Sequence, residues 1–150
     1  MSCCLTTITM LPIALVLAAI IGKFVLRGRR AAETRDKLAE YEIIKIEDTA
    51  DLRGQRSGGD RQERGKGALA LVPHKLYFLK WSPKVEFEIY VSAMTSVELV
   101  KEFMGKPDRS EKGLLQVSFE NDAGQPDAMA WQVPEPEQWE AAIREAIAKR

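Results

Sequence analysis

The sequence predicts a mainly β domain: an antiparallel sandwich or partly open barrel of about seven strands, capped by one C-terminal amphipathic helix and preceded by one transmembrane helix. Three observations lead there. Residues 5–26 form an apolar run of 22 residues whose one charge is Lys23. Between residues 68 and 133 short strand-like runs are set off by turn residues, and residues 84–91 and 115–120 alternate apolar with polar side chains, the period of half-buried strands. From Pro136 onward the apolar residues fall at helical spacing.

The N-terminal run is long enough to span a bilayer, since a helix of that length covers about 33 Å against a hydrocarbon core of about 30 Å. A buried core helix would keep a polar stripe, whereas the polar groups ahead of Lys23 are Thr6, Thr7 and Thr9, whose hydroxyls can bond back to helix carbonyls. A cleaved signal peptide would want a basic start and a shorter apolar core. Residues 1–4 carry no basic side chain, and Arg27, Arg29 and Arg30 follow the run directly. Pro12 should bend this helix, which bilayer helices tolerate.

Charge sets the orientation. Six basic residues against two acidic ones lie between Lys23 and Lys37, and the N-terminal flank has none. The expectation is a single span in the inner or plasma membrane, with the N-terminus outside and residues 30–150 in the cytoplasm. Lys23, Arg27, Arg29 and Arg30 form the juxtamembrane basic group, Lys23 reaching the headgroups along its apolar stem. The chain then divides into an anchor (1–28), a helical juxtamembrane stalk (29–40) rich in helix formers, and one folded domain (41–150).

The chain is neutral overall, with 22 basic and 22 acidic residues, but residues 38–150 hold 16 basic and 20 acidic. That balance makes a poor nucleic-acid binder. Both cysteines, Cys3 and Cys4, sit at the extreme N-terminus, so no disulfide or thiolate metal site supports the domain. The pair reads either as an acylation or cross-linking site or as two small apolar residues at a helix end.

Within the domain, residues 41–46 read as a first strand. Residues 53–67 are glycine-rich and carry no aliphatic side chain, which predicts an exposed loop. Its cations Arg53, Arg56, Arg61, Arg64 and Lys66 are candidates for gripping a phosphate or lipid headgroup, although the spacing is not that of a phosphate loop. Residues 68–72 and 75–81 form a hairpin across Pro73 and His74. Residues 84–91 alternate most cleanly, with Val85, Phe87, Ile89 and Val91 on one face and Lys84, Glu86, Glu88 and Tyr90 on the other. Residues 94–103, 114–120 and 128–133 supply the later strands. Trp139, Ala142, Ile143, Ala146 and Ile147 then make one stripe of the closing helix, which starts at Pro136.

Enzyme chemistry has little to stand on. The lone histidine, His74, lies in a turn without a ligand set, and Glu86 and Glu88 share a solvated face that offers no desolvation to shift a pKa. No nucleophile elbow or zinc-helix motif occurs, and no cofactor is expected.

The stretches GALALVPHKLYFLKW (67–81), FEIYVSAMTSVELV (87–100), LLQVSFENDAG (114–124) and AWQVPEPEQWEAAI (130–143) resemble the GRAM-type and bacterial branch of the pleckstrin-homology (PH) superfamily. There a leucine-rich hairpin precedes an isoleucine, spacer, threonine-x-valine strand, and a tryptophan-bearing helix closes the barrel. The resemblance covers about residues 41–150. It implies a non-enzymatic module that binds proteins or lipids, often at a membrane, and by position it matches the family's lipid-binding cations to Arg53, Arg56, Arg61, Arg64 and Lys66. Two functions are therefore expected: an adaptor for an unidentified protein partner, or a sensor of anionic lipid.

Overall fold

Short apolar runs separated by proline, glycine and asparagine turns build most of the sheet. The computed structural model describes residues 28–150 together with Val16, Gly22 and Val25. A first helix, α1, includes residues 28–37. It is followed by β1 (Lys45–Gln55), β2 (Gly65–Val72), β3 (Lys75–Trp81), β4 (Lys84–Tyr90), β5 (Met94–Val100), β6 (Glu102–Phe103), β7 (Lys106–Pro107), β8 (Leu114–Glu120), β9 (Pro126–Gln132) and α2 (Pro136–Ala148). The transmembrane span expected over residues 5–26, and with it Cys3, Cys4, Lys23 and Arg27, lies outside the described residues apart from Val16, Gly22 and Val25. Among the described residues no helix is long and apolar enough to cross a membrane.

Seven strands form one antiparallel sheet in the order β4-β3-β2-β1-β9-β8-β5, and β6 with β7 makes a separate ribbon. The sheet leaves β4 and β5 as its two edges. Its inner face carries Leu52, Leu69, Leu71, Leu76, Phe78, Ile89, Val97, Leu115, Val117, Met129 and Trp131, which form one core with Trp139, Ile143 and Ala146 of α2. Phe78 meets Trp131 edge-on at 6.0 Å between ring centres. Burying an aromatic or large aliphatic side chain stabilises by about 1.5–3 kcal/mol, so this face is the main source of stability. The helix starts at Pro136, whose missing N–H costs nothing at a first turn.

The first strand corrects the reading of residues 41–46. Strand β1 begins at Lys45 and runs through Gln55, into the segment expected as loop. Ala50, Leu52 and Gly54 are its buried positions, and the register shifts between Glu47 and Ala50 and again between Leu52 and Gly54. Two irregularities in eleven residues erase the alternation that would announce a strand. At the first, the Glu47 carboxylate accepts the Thr49 N–H at 3.0 Å and the Thr49 hydroxyl at 2.5 Å.

Strands β2 and β3 are buried on both faces, while β4 alternates. The outer cover is α1 and the chain that follows it. Leu38 is 1 % exposed and clusters with Ala70, Val72, Tyr77 and Leu79, with Ile43, Ile46 and Trp81 packed alongside. Arg30 places its guanidinium 4.7 Å from the centre of the Trp81 ring. Glu33 pairs with Lys84 and Lys37 with Glu86. The helix expected as a stalk thus lies along the sheet, with Arg30 and Glu33 at the β3–β4 turn.

Candidate functional site

The β1–β2 connection is built on polar contacts, because it has no apolar side chain to bury. Asp127 at the start of β9 is 2 % exposed. Its carboxylate accepts the Ser57 hydroxyl at 2.6 Å, the Ser57 N–H at 3.0 Å, the Gln55 amide at 2.7 Å and the Ala128 N–H at 2.8 Å. Burial pushes its pKa up, but these donors outweigh burial and hold it below the usual carboxylate range. Gln62 closes the other end, accepting the Gln55 N–H at 2.8 Å and donating to the Gly59 carbonyl at 2.8 Å. Glu63 pairs with Lys80, which is 2 % exposed.

This frame separates the five cations picked out by sequence. Arg53 stands on β1, where it donates to Gln132 of β9 and lies 3.8 Å from Asp51. Arg56 sits in the short turn after β1 and Arg61 further along the loop, both exposed; Lys66 is exposed on β2. Arg64, just before β2, leans the other way. It lines with Arg53 a cleft of about 360 Å³, which Lys106 and Arg109 border from the far side. Phe103 and Leu114, both buried, supply apolar lining to the same cleft. Thus the fold joins two of the five predicted cations to two that sequence reasoning passed over, and leaves Arg56, Arg61 and Lys66 outside.

The cleft gathers positive charge with little to offset it. Among the described residues, Arg64, Lys106 and Arg109 form no ion pair within 4.0 Å. The one acid in the lining is Asp108, which takes the Ser110 hydroxyl within its own turn. The Nε of Arg53 is buried and has no hydrogen-bond partner. Like charges held together without counter-charge raise the local potential and favour an anion. Lys106 and Arg109 lie in the turn-rich segment 105–113, some forty residues after Arg64, so no local spacing could have joined them to it.

The other candidates fall elsewhere. Arg29 is exposed on α1, and Arg30 is committed to Trp81. His74 packs 4.7 Å from Tyr41 and 6.5 Å from Tyr90 between ring centres. Among the described residues no group of His, Cys, Asp and Glu side chains could hold a metal ion. The edge of β5 is capped from α2 and the residues after it: Arg150 donates to the Met94 carbonyl at 2.6 Å and Arg144 of α2 to the Val97 carbonyl at 3.5 Å. Acceptors so occupied are poor templates for an added strand.

No family model and no curated protein sequence matches the chain. Solved structures do match in shape. The C-terminal domain of an unknown protein from Leishmania infantum is similar with a TM-score of 0.52 and 13% identity, over 84% of this chain and 97% of that one. The N-terminal PH domain of Vps36 is similar with a TM-score of 0.52 and 13% identity, over 72% of this chain and 80% of that one. The fold is therefore PH-like: a seven-stranded antiparallel sheet with one C-terminal helix. At such identity the likeness speaks for fold and not for ligand.

Proposed function

We propose that this chain is a membrane-anchored, non-enzymatic interaction module whose PH-like domain is held in the cytoplasm as an adaptor for a protein partner. The observation that carries this reading is the docking of α1. The helix that follows the apolar N-terminal run is packed along the outer face of β2 and β3 through Leu38, Trp81 and two ion pairs. A module fixed in this way presents its remaining walls at a set distance and angle beneath a bilayer. Within the PH-like fold, the resemblance of residues 67–81 and 87–100 to the GRAM-type and bacterial branch supports reading it as a member of that branch. Cross-linking the intact protein in its own membrane, followed by pull-down, should recover one protein partner in near-stoichiometric amount. Recovery of lipid alone would contradict the adaptor reading.

A second reading, a sensor of anionic lipid headgroups, has Arg56, Arg61 and Lys66 in its favour, since all three are exposed on or beside one loop. Vesicle flotation separates the two. Binding to anionic vesicles at low salt that disappears in Arg56→Gln with Arg61→Gln favours the lipid sensor.

A further inference from the structure

We propose that the Arg53–Arg64–Lys106–Arg109 cleft receives a phosphate monoester carried on a segment of the protein partner. The inference rests on the adaptor reading above and names what the adaptor recognises.

Charge and donors point to phosphate. Four cations converge from three separate parts of the chain: the outward face of β1, the end of the β1–β2 loop, and the ribbon with the turn that follows it. A carboxylate brings one negative charge and is matched by a single guanidinium. A phosphate monoester carries about −1.5 to −2 charges and three acceptor oxygens, enough for several forked or single donors at once. Arg53 is partly committed, donating to Gln132 with Asp51 3.8 Å away, so among the described residues Arg64, Lys106 and Arg109 carry the charge left without a counter-ion.

Shape points to a protein segment. The lining is not purely ionic: Phe103, Pro107 and Leu114 give the carbon body of a phosphorylated side chain somewhere to rest. A volume of about 360 Å³ sits at the small end of ligand pockets and suits one such side chain. Arg56 and Arg61, exposed on the β1–β2 loop, stand outside the cleft and remain free for a headgroup. The cleft lies against β1 and β9 in the middle of the sheet order, and its lining includes no residue of α1, which packs on β2 and β3.

The test uses the full chain in nanodiscs of phosphatidylcholine alone, titrated with degenerate peptides centred on phosphoserine, phosphothreonine or phosphotyrosine and with their unphosphorylated counterparts. Phenyl phosphate serves as competitor. The expected result is one phosphopeptide class bound at least about tenfold more tightly than its unphosphorylated form, and displaced by phenyl phosphate. Lys106→Gln with Arg109→Gln, both exposed and remote from the core, should lose about tenfold or more at an unchanged Tm, while Arg56→Gln with Arg61→Gln should stay within about twofold. Equal binding of both peptide forms overturns the proposal. So does dependence on Arg56 and Arg61, or binding of phosphoinositide vesicles but no peptide with the same loss at Lys106 and Arg109. A cross-linked partner that persists on the Lys106→Gln, Arg109→Gln variant after phosphatase treatment overturns the cleft and leaves the adaptor standing; recovery of no partner at all removes the adaptor first.

Discussion

Arg30 of α1 stacks its guanidinium on Trp81 of β3, 4.7 Å from the ring centre, and so ties the helix that follows the apolar run to the third strand of the domain. Next along the helix, Glu33 pairs with Lys84, and a further turn on, Lys37 pairs with Glu86. Exposed ion pairs contribute little each and weaken with salt. The apolar contact beneath them therefore carries the docking.

Leu38 is the centre of that contact. Leu38→Ala should weaken the packing of α1 by about 2–5 kcal/mol, as for other buried leucines. Arg30→Ala should cost about 0.5–1 kcal/mol, the range of an exposed cation–π contact. Hydrogen exchange reports both: the amides of residues 30–38 lose protection in Leu38→Ala while those of β8 and β9 keep theirs. Equal loss across the whole sheet would mean that α1 and the sheet unfold as one unit.

Gly67 marks where β2 passes closest to its neighbour. A Cβ there would lie 2.3 Å from the Leu79 carbonyl oxygen and 2.6 Å from Cζ of Phe78, one of them backbone and the other a packed core ring. Gly67→Ala should therefore destabilise by about 1–3 kcal/mol or more, the cost of overpacking. Urea unfolding measures this, and an unchanged midpoint would show that β2 has room to shift.

Much of this was legible in the chain. The hairpin of β2 and β3, the alternation of β4, the inward set Leu115, Val117, Phe119 and the stripe of α2 follow from periodicity and turn chemistry, and the sheet they form is the one observed. What was hidden has physical causes. Strand β1 is polar and twice irregular, so residues 41–46 read as the strand, of which only Lys45 and Ile46 belong to it, and residues 53–55 read as loop. The docking of α1 does leave a trace in the chain: residues 68–72 and 75–80 show little period-two alternation, the mark of strands covered on both faces. The cleft had no such signal, because Arg53, Arg64, Lys106 and Arg109 meet only once β9 and the ribbon bring distant segments together.

Asp127 gives the domain an acid limit. Its folded pKa lies below the usual carboxylate value, so its contribution is present above the unfolded pKa of about 3.9 and is lost as pH falls through the folded value. Asp127→Asn should lose stability at neutral pH, with smaller further loss below about pH 3.9 than the parent shows. Urea midpoints measured from neutral pH downward give the comparison. Parallel acid slopes for the two proteins would assign the acid sensitivity to other groups.

Tyr77 sets a limit on the alkaline side. Its hydroxyl is buried beneath α1 with no hydrogen-bond partner, and burial, with Glu33 and Glu88 adding to it, pushes its pKa up to about 12. Because the folded pKa exceeds the unfolded one of about 10, the stability it contributes is present below about pH 10 and lost as pH rises toward the folded value. Tyr77→Phe should remove a step near pH 12 from the phenolate absorbance titration. It should also leave neutral-pH stability unchanged or raise it by up to about 1 kcal/mol, since an unsatisfied hydroxyl is removed. A marked loss of stability would reveal a partner for that hydroxyl.

The most direct test of a domain suspended from a membrane helix is topological. Membranes carrying the full chain are washed with alkaline carbonate, and intact cells are treated with protease from outside. We expect the chain to stay with the membrane pellet and the PH-like domain to survive digestion until the membrane is permeabilised. Release of the intact chain into the wash, or digestion of the domain in unbroken cells, would contradict the account.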